Sequence, residues 1–189
     1  MLYQIISLVL DVAVGLVCGV CLLRLYMQQQ RIPLSARTGN PIGPFIFAMT
    51  DWLVIPLRRF LPKLAAFDLA SLVAAILLQL AQFLVLWLLQ GGAQSLAVVA
   101  VLASFGVLRV ALTGLSGLVM IYALLSWVQA RSPASDLLDR LVAPLLSPIR
   151  RHLPLMGGVD LSPLALLLLL QVLVTVVGGL QSMALMAAA

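Results

Sequence analysis

The sequence predicts an all-α membrane protein. Four transmembrane helices form two parallel two-span repeats, each with a cytoplasmic helix that lies on the interface or re-enters. Three observations carry this expectation. First, the 189 residues are 63% hydrophobic and 9% charged, whereas a soluble domain has about 45–50% apolar and about 25% charged residues. Second, four apolar stretches are long enough to cross a bilayer, which takes about 20 helical residues. Third, "PLRRFLP" at Pro56–Pro62 returns as "PIRRHLP" at Pro148–Pro154.

The spans come in order along the chain. The first covers about 2–26, the second 69–89, the third about 106–128 and the fourth about 161–183. The third lies within a longer apolar run, Leu96 to Val128, which must tilt or begin as a short interfacial segment. The N-terminus lacks a basic n-region and a small-residue cleavage site, so the first run reads as a retained span. The polar break "QGGAQS" separates the second and third stretches, and the connections 27–68 and 129–160 hold most polar residues.

Charge placement gives orientation. Arg24, Arg31, Arg37, Arg58, Arg59 and Lys63 belong to the first connection or its edge, and Arg131, Arg140, Arg150 and Arg151 to the second. Neither terminus nor the 90–95 loop carries Lys or Arg. The positive-inside rule then puts both connections in the cytoplasm and both termini outside.

A shift of 92 residues aligns 40–80 with 132–172. It divides the chain into repeats 1–92 and 93–189. Two spans per repeat make the duplication parallel. Asn40-Pro41 and Ser132-Pro133 each read as a helix start, a cap followed by proline at the first helical position. The helices they open cover about 41–60 and 133–151. The second is amphipathic, with Leu137, Leu138, Leu141 and Val142 opposite Asp136, Asp139 and Arg140. Pro56, Pro144 and Pro148 are expected to end or kink these helices. Asp68 and Asp160 stand where the following spans begin and can cap their free N–H groups.

The chain resembles the YggT family of small bacterial integral membrane proteins. "LLRLYMQ", "NPIGPF", "IPLRRFLP" and "FDLASL" carry the likeness in the first half. "LLSWVQARSP", "LVAPLLSPIRRHLP" and "GGVDLSPLALLLLLQ" carry it in the second. The resemblance implies a bacterial inner-membrane protein of four spans. Members are linked to osmotic or salt tolerance, to division and nucleoid distribution, and in photosynthetic lineages to b-type cytochrome maturation.

Several residues are candidates for function. Arg58, Arg59, Arg150 and Arg151 fall where interfacial helices end and spans begin. They read as anchors, with Arg150 tied to Asp160, or as a docking face for anionic headgroups or a partner membrane protein. A basic residue near the surface gains about 1 kcal/mol from anionic lipid. The flanking prolines, Pro56 with Pro62 and Pro148 with Pro154, fix the geometry of each elbow. Asp11 and Arg109 lie roughly 10–13 residues from the outer ends of their spans and are expected to form an intramembrane ion pair. Cys18 and Cys21, without a following His, read as packing rather than haem attachment. Gly15, Gly19, Gly114 and Gly117 permit close helix contact, within the fold or in a homo-oligomer. Gln79, Gln82 and Gln171 offer hydrogen bonds between helices, and Tyr122, Ser126 and Trp127 fit an interfacial belt.

The chain has no Glu and one His, His152. No nucleophile–base pair, metal set or phosphate loop emerges, so neither an enzyme nor a cofactor is expected. The basic residues sit at the membrane surface without an aromatic-interleaved face, which argues against direct nucleic-acid binding. The reading is a non-enzymatic assembly or scaffold factor; the alternative is a transport component acting as an oligomer.

Overall fold

A computed structural model describes residues 1–34, 40–61, 68–92, 95–128, 132–151 and 160–188. Six α-helices account for nearly all of them: α1 (Leu2–Gln29), α2 (Gly43–Phe60), α3 (Leu69–Leu89), α4 (Leu96–Val128), α5 (Pro133–Arg150) and α6 (Ser162–Ala188). Of these, α1, α3, α4 and α6 are long and apolar enough to cross a membrane. Helices suit that role because every backbone N–H and C=O is satisfied within the segment. The helix that holds the third span begins at Leu96, without a break before 106, and is 33 residues long, roughly 50 Å at 1.5 Å per residue, so it tilts in or projects beyond a roughly 30 Å hydrocarbon core.

Polar contacts fix the two ends of the bundle. At one end Tyr3 meets Gln90 and the Ser95 hydroxyl donates to the Ala188 carbonyl at 2.9 Å. Gly91 and Gly92 turn the chain there with φ of 81° and 67°, values that glycine adopts without a Cβ penalty. At the other end α2 packs on α1 and α3, and α5 packs on α4 and α6. We call α2, α5 and the residues that join them to the following spans the elbows.

The elbow helices start differently. Ser132 caps α5 through a reciprocal pair: its hydroxyl accepts from Ser135 N at 3.2 Å, and its own N donates to Ser135 Oγ at 2.9 Å. Asn40 is not the cap of α2. The helix begins two residues later than expected, after Ile42, with Pro44 rather than Pro41 in its first turn. Asn40 Oδ1 instead accepts from Ile42 N at 3.1 Å, and its amide donates to the Pro33 carbonyl at 3.0 Å. That side chain holds the turn leading into the helix. Gly43 follows because a Cβ there would overlap the Leu34 carbonyl.

The prolines do not end the elbow helices. Pro56 lies inside α2, and Pro144 and Pro148 inside α5. Proline fixes φ near the helical value, so the chain can continue although one N–H bond is lost at each. Part of that loss is repaired in α5, where the Ser147 hydroxyl donates to the Pro144 carbonyl at 3.3 Å. Pro62, Pro154 and His152 lie outside the described residues.

Two buried apolar clusters hold the fold. The smaller joins α1, α2 and α3 through Cys18, Cys21, Val54, Ala70, Ala74 and Ala75. Small side chains let these helices approach closely, and Cys18 and Cys21 are fully buried free thiols. The larger crosses the halves: Met27, Ile32 and Ile46 meet Leu112, Val119, Leu141, Leu146, Leu166 and Leu170. A hydrogen bond also crosses, Tyr26 Oη donating to the Leu141 carbonyl at 2.7 Å.

Candidate functional site

Each elbow ends in an arginine pair, and within each pair the two side chains differ. Arg58 Nη2 lies 2.7 Å from Asp68 Oδ2, and Arg150 Nη2 lies 2.7 Å from Asp160 Oδ2. Both bonds span ten residues of sequence. They tie the end of an elbow helix to the start of the next span. Arg59 and Arg151 are exposed and have no ion pair among the described residues. Thus one arginine of each pair is structural and its neighbour is free.

The two aspartates are held differently. Asp160 Oδ1 accepts from Ser162 N at 2.9 Å and so caps the start of α6. Asp68 stands at the N-cap position of α3 but makes no side-chain cap. Its Oδ2 accepts from Arg58 and from the Ser71 hydroxyl at 2.7 Å each, which leaves that oxygen turned from the backbone. Burial alone would raise the Asp68 carboxyl. The hydrogen bonds from Arg58 and Ser71 and the charges of Arg58 and Arg24 outweigh it, holding Asp68 below its ordinary value of 3.8. Burial of Asp160 is likewise outweighed, here by hydrogen bonds from Ser162 and Arg150 and by the Arg150 charge. Arg150 is itself raised: desolvation would lower it, but bonds to Asp160 and Tyr122 favour the cation.

Behind the first elbow lies a network that sequence reasoning missed. Arg24, read as the flank of a span, is only 2% exposed. Its Nη1 donates to Thr50 Oγ1 at 2.6 Å and to Asp51 Oδ1 at 2.7 Å. Its guanidinium stacks 4.9 Å from the Phe47 ring centre. Its Nε has no hydrogen-bond partner and lies 3.9 Å from Asp68 Oδ2. Two arginines and two aspartates therefore balance charge within this network, with Arg59 outside it. The available signal was Thr50-Asp51 inside the apolar stretch "FIFAMTDWLVI", where Thr50 shares a buried face with Ile46 and Val54. A polar group on such a face needs a partner.

In the second half, Tyr122 replaces this network. It is buried rather than part of an interfacial belt, and its hydroxyl accepts from Arg150 Nη2 at 2.8 Å. Ser126 and Trp127 are exposed.

The expected ion pair between Asp11 and Arg109 does not form. Asp11 accepts instead from the Gln82 amide, and Arg109 is exposed without an ion pair among the described residues. The reason is register. Gly19 lies 3.7 Å from Val110, measured from an added Cβ. Asp11 is eight residues above that level, about 12 Å at 1.5 Å per residue, while Arg109 sits beside it. Counting from the apolar ends misjudged depth because α4 is longer than one span. Gln79 packs against Gly106, whereas Gln171 is exposed. Gly114 and Gly117 face open space rather than a neighbouring helix.

Four apolar spans and two elbows make this a multi-pass helical membrane protein. It belongs to the CCB3/YggT family, whose profile matches residues 3–89 and 101–181 in two segments, consistent with a repeat. It is 34% identical over 169 residues to the uncharacterized protein YggT of Escherichia coli K12, covering 89% of this chain and 86% of that one. It is 36% identical over 155 residues to an uncharacterized protein from the proC 3′ region of Vibrio alginolyticus, covering 80% and 82%. A Haemophilus influenzae relative is 30% identical over 152 residues, covering 80% and 79%. No solved structure matches the chain significantly.

Proposed function

We propose that this protein is a non-enzymatic assembly or scaffold factor of the bacterial inner membrane, built as two parallel two-span repeats. In this reading the elbows lie on the cytoplasmic face and both termini are outside. The support is charge placement: Arg24, Arg31, Arg58, Arg59, Arg140, Arg150 and Arg151 gather at the elbow end. The opposite end presents Tyr3, Gln90 and Ser95.

One observation carries the docking role. At equivalent positions of both elbows, an arginine fixed by an aspartate stands beside a free one. The fixed residue sets the geometry, and Arg59 and Arg151 present the charge. The partner is a membrane protein with an acidic surface; the settings suggested by the resemblance are osmotic tolerance, division and respiratory-complex maturation. The test is purification from native membranes in mild detergent, with and without Arg59→Gln and Arg151→Gln. A specific protein lost only from the double variant supports the reading. An unchanged set of proteins would leave these arginines as lipid anchors.

The transport alternative draws on Asp11 and Gln82, which meet between α1 and α3, and on Gln79, which packs against Gly106 of α4. Buried Leu86 and Ala75 interrupt that face of α3, so the polar groups do not run continuously.

A further inference from the structure

Beyond the docking role, the seam between the two halves has the form of a lipid site. An open groove of about 380 Å³ runs between α1 and α4. On α1 its walls extend from Gly19 to Gln29, and on α4 they include Val110, Gly114 and Gly117. Ten helical residues cover about 15 Å, half of a roughly 30 Å hydrocarbon core. The groove is therefore one leaflet deep, which suits an acyl chain and is too short for a crossing helix.

Its mouth lies at the elbow end and carries charge from both halves. Arg31 follows Gln29 by two residues, is exposed, and has no ion pair among the described residues. Arg140 of α5 lies with Ile32, the residue after Arg31, around a small shared pocket. Tyr26, a groove wall, bonds the carbonyl of Leu141, the residue after Arg140. Arg140 is also exposed and outside every ion pair among the described residues. Asp136 shares the small pocket and supplies one opposing charge. The mouth thus has two unpaired cations against one anion, above a slot for hydrocarbon. Arg31 also holds a φ of 55°, a conformation that glycine would adopt without strain.

We propose that an anionic phospholipid binds this seam, one acyl chain in the α1–α4 groove and its phosphate held by Arg31 and Arg140. The test uses the full chain, delipidated in detergent and titrated with dioleoylphosphatidylglycerol or dioleoylphosphatidylcholine under native mass spectrometry. One phosphatidylglycerol should bind ahead of bulk lipid. Arg31→Gly and Arg140→Gln should each weaken it about fivefold, the factor matching about 1 kcal/mol per surface basic residue. Arg31→Gly also relieves the positive φ, so its thermal midpoint without lipid should not fall, which separates lost binding from lost folding. Gly114→Leu should block both lipids, since a Cβ there meets no protein atom within 4 Å. Arg59→Gln with Arg151→Gln should leave this lipid in place, so the docking reading and this one can fail separately. Equal phosphatidylglycerol affinity in wild type, Arg31→Gly, Arg140→Gln and Gly114→Leu would overturn the proposal.

Discussion

The first elbow is backed by a buried polar network where the second is backed by apolar packing and a single hydroxyl, that of Tyr122. Shifted by 92 residues, Thr50 and Asp51 become Val142 and Ala143. In the motifs "LLRLY" and "LLSWV", Arg24 becomes Ser126. Thr50 and Val142 are both buried, one bonding a guanidinium and the other packing among leucines. The outward faces differ in the opposite sense. Phe45, Trp52, Ile55 and Phe60 are exposed on α2, while Asp136, Asp139 and Arg140 are exposed on α5. The Arg–Asp tie, with an exposed arginine beside it, is present in both halves. The difference teaches that the tie is the shared device for closing an elbow, and that each copy supports it with different chemistry.

The comparison can be broken most sharply at Arg24. Arg24→Leu leaves Asp51 and Thr50 without their donor and should destabilise the protein by about 3 kcal/mol, the lower end for breaking a buried pair. Ser126→Ala should change stability by less than about 0.5 kcal/mol. Adding Thr50→Val and Asp51→Ala to Arg24→Leu gives α2 the second elbow's residues at these two positions and removes the groups left without a donor, so it should recover much of the loss. Thermal unfolding of the purified proteins reads all three, and no recovery in the triple variant would show that the elbows are not exchangeable modules.

The helix starts give the next largest effect. Gly43→Ser imports the equivalent Ser135 and should cost about 2 kcal/mol as overpacking, because the Leu34 carbonyl fills the space. Ser132→Ala removes the α5 cap and should cost about 1 kcal/mol. Hydrogen exchange at Ser135 and Asp136 would localise that loss to the first turn.

Both arginines of the ties are partly exposed, so Arg150→Gln should cost less than about 1 kcal/mol, and Arg58→Gln more than that because Asp68 is only 6% exposed. Their signature is pH dependence. Both aspartates have folded values below the ordinary 3.8. Their contribution is complete above that value and is lost as pH falls through the lowered one. Each variant should narrow its stability gap to wild type as the medium is acidified below about pH 4. A gap that widened on acidification would reverse the sign and remove the tie as its cause.

Much of the architecture was legible because local pattern determines it. Leu69–Leu89 was read to the residue, since an apolar run between Asp68 and Gln90 leaves no other boundary. Ser132 could be read as a cap because Pro133 follows it at the first helical position. The prolines inside α2 and α5 and the early start of α4 were local misses; the others depend on distance. Arg24 meets residues 26 and 27 positions on, and Asn40 turns back to Pro33. The depth of Arg109 depends on how α4 slides against α1, which no single helix records. The site was half legible: the arginine pairs announced themselves by repetition and Arg150 was expected to meet Asp160, but the tie of Arg58 to Asp68 and the support of Arg24 behind it follow only from tertiary contact.

The larger buried cluster has a consequence for synthesis. A ribosome delivers the first half before the second, and N-terminal units generally fold first. Here Met27 and Ile46 are covered by residues of α4, α5 and α6, and Tyr26 waits for the carbonyl of Leu141. The nascent first half therefore enters the bilayer with its inner wall unfinished. Until more than half of the remaining chain has emerged, that wall must be shielded by lipid or by the insertion machinery.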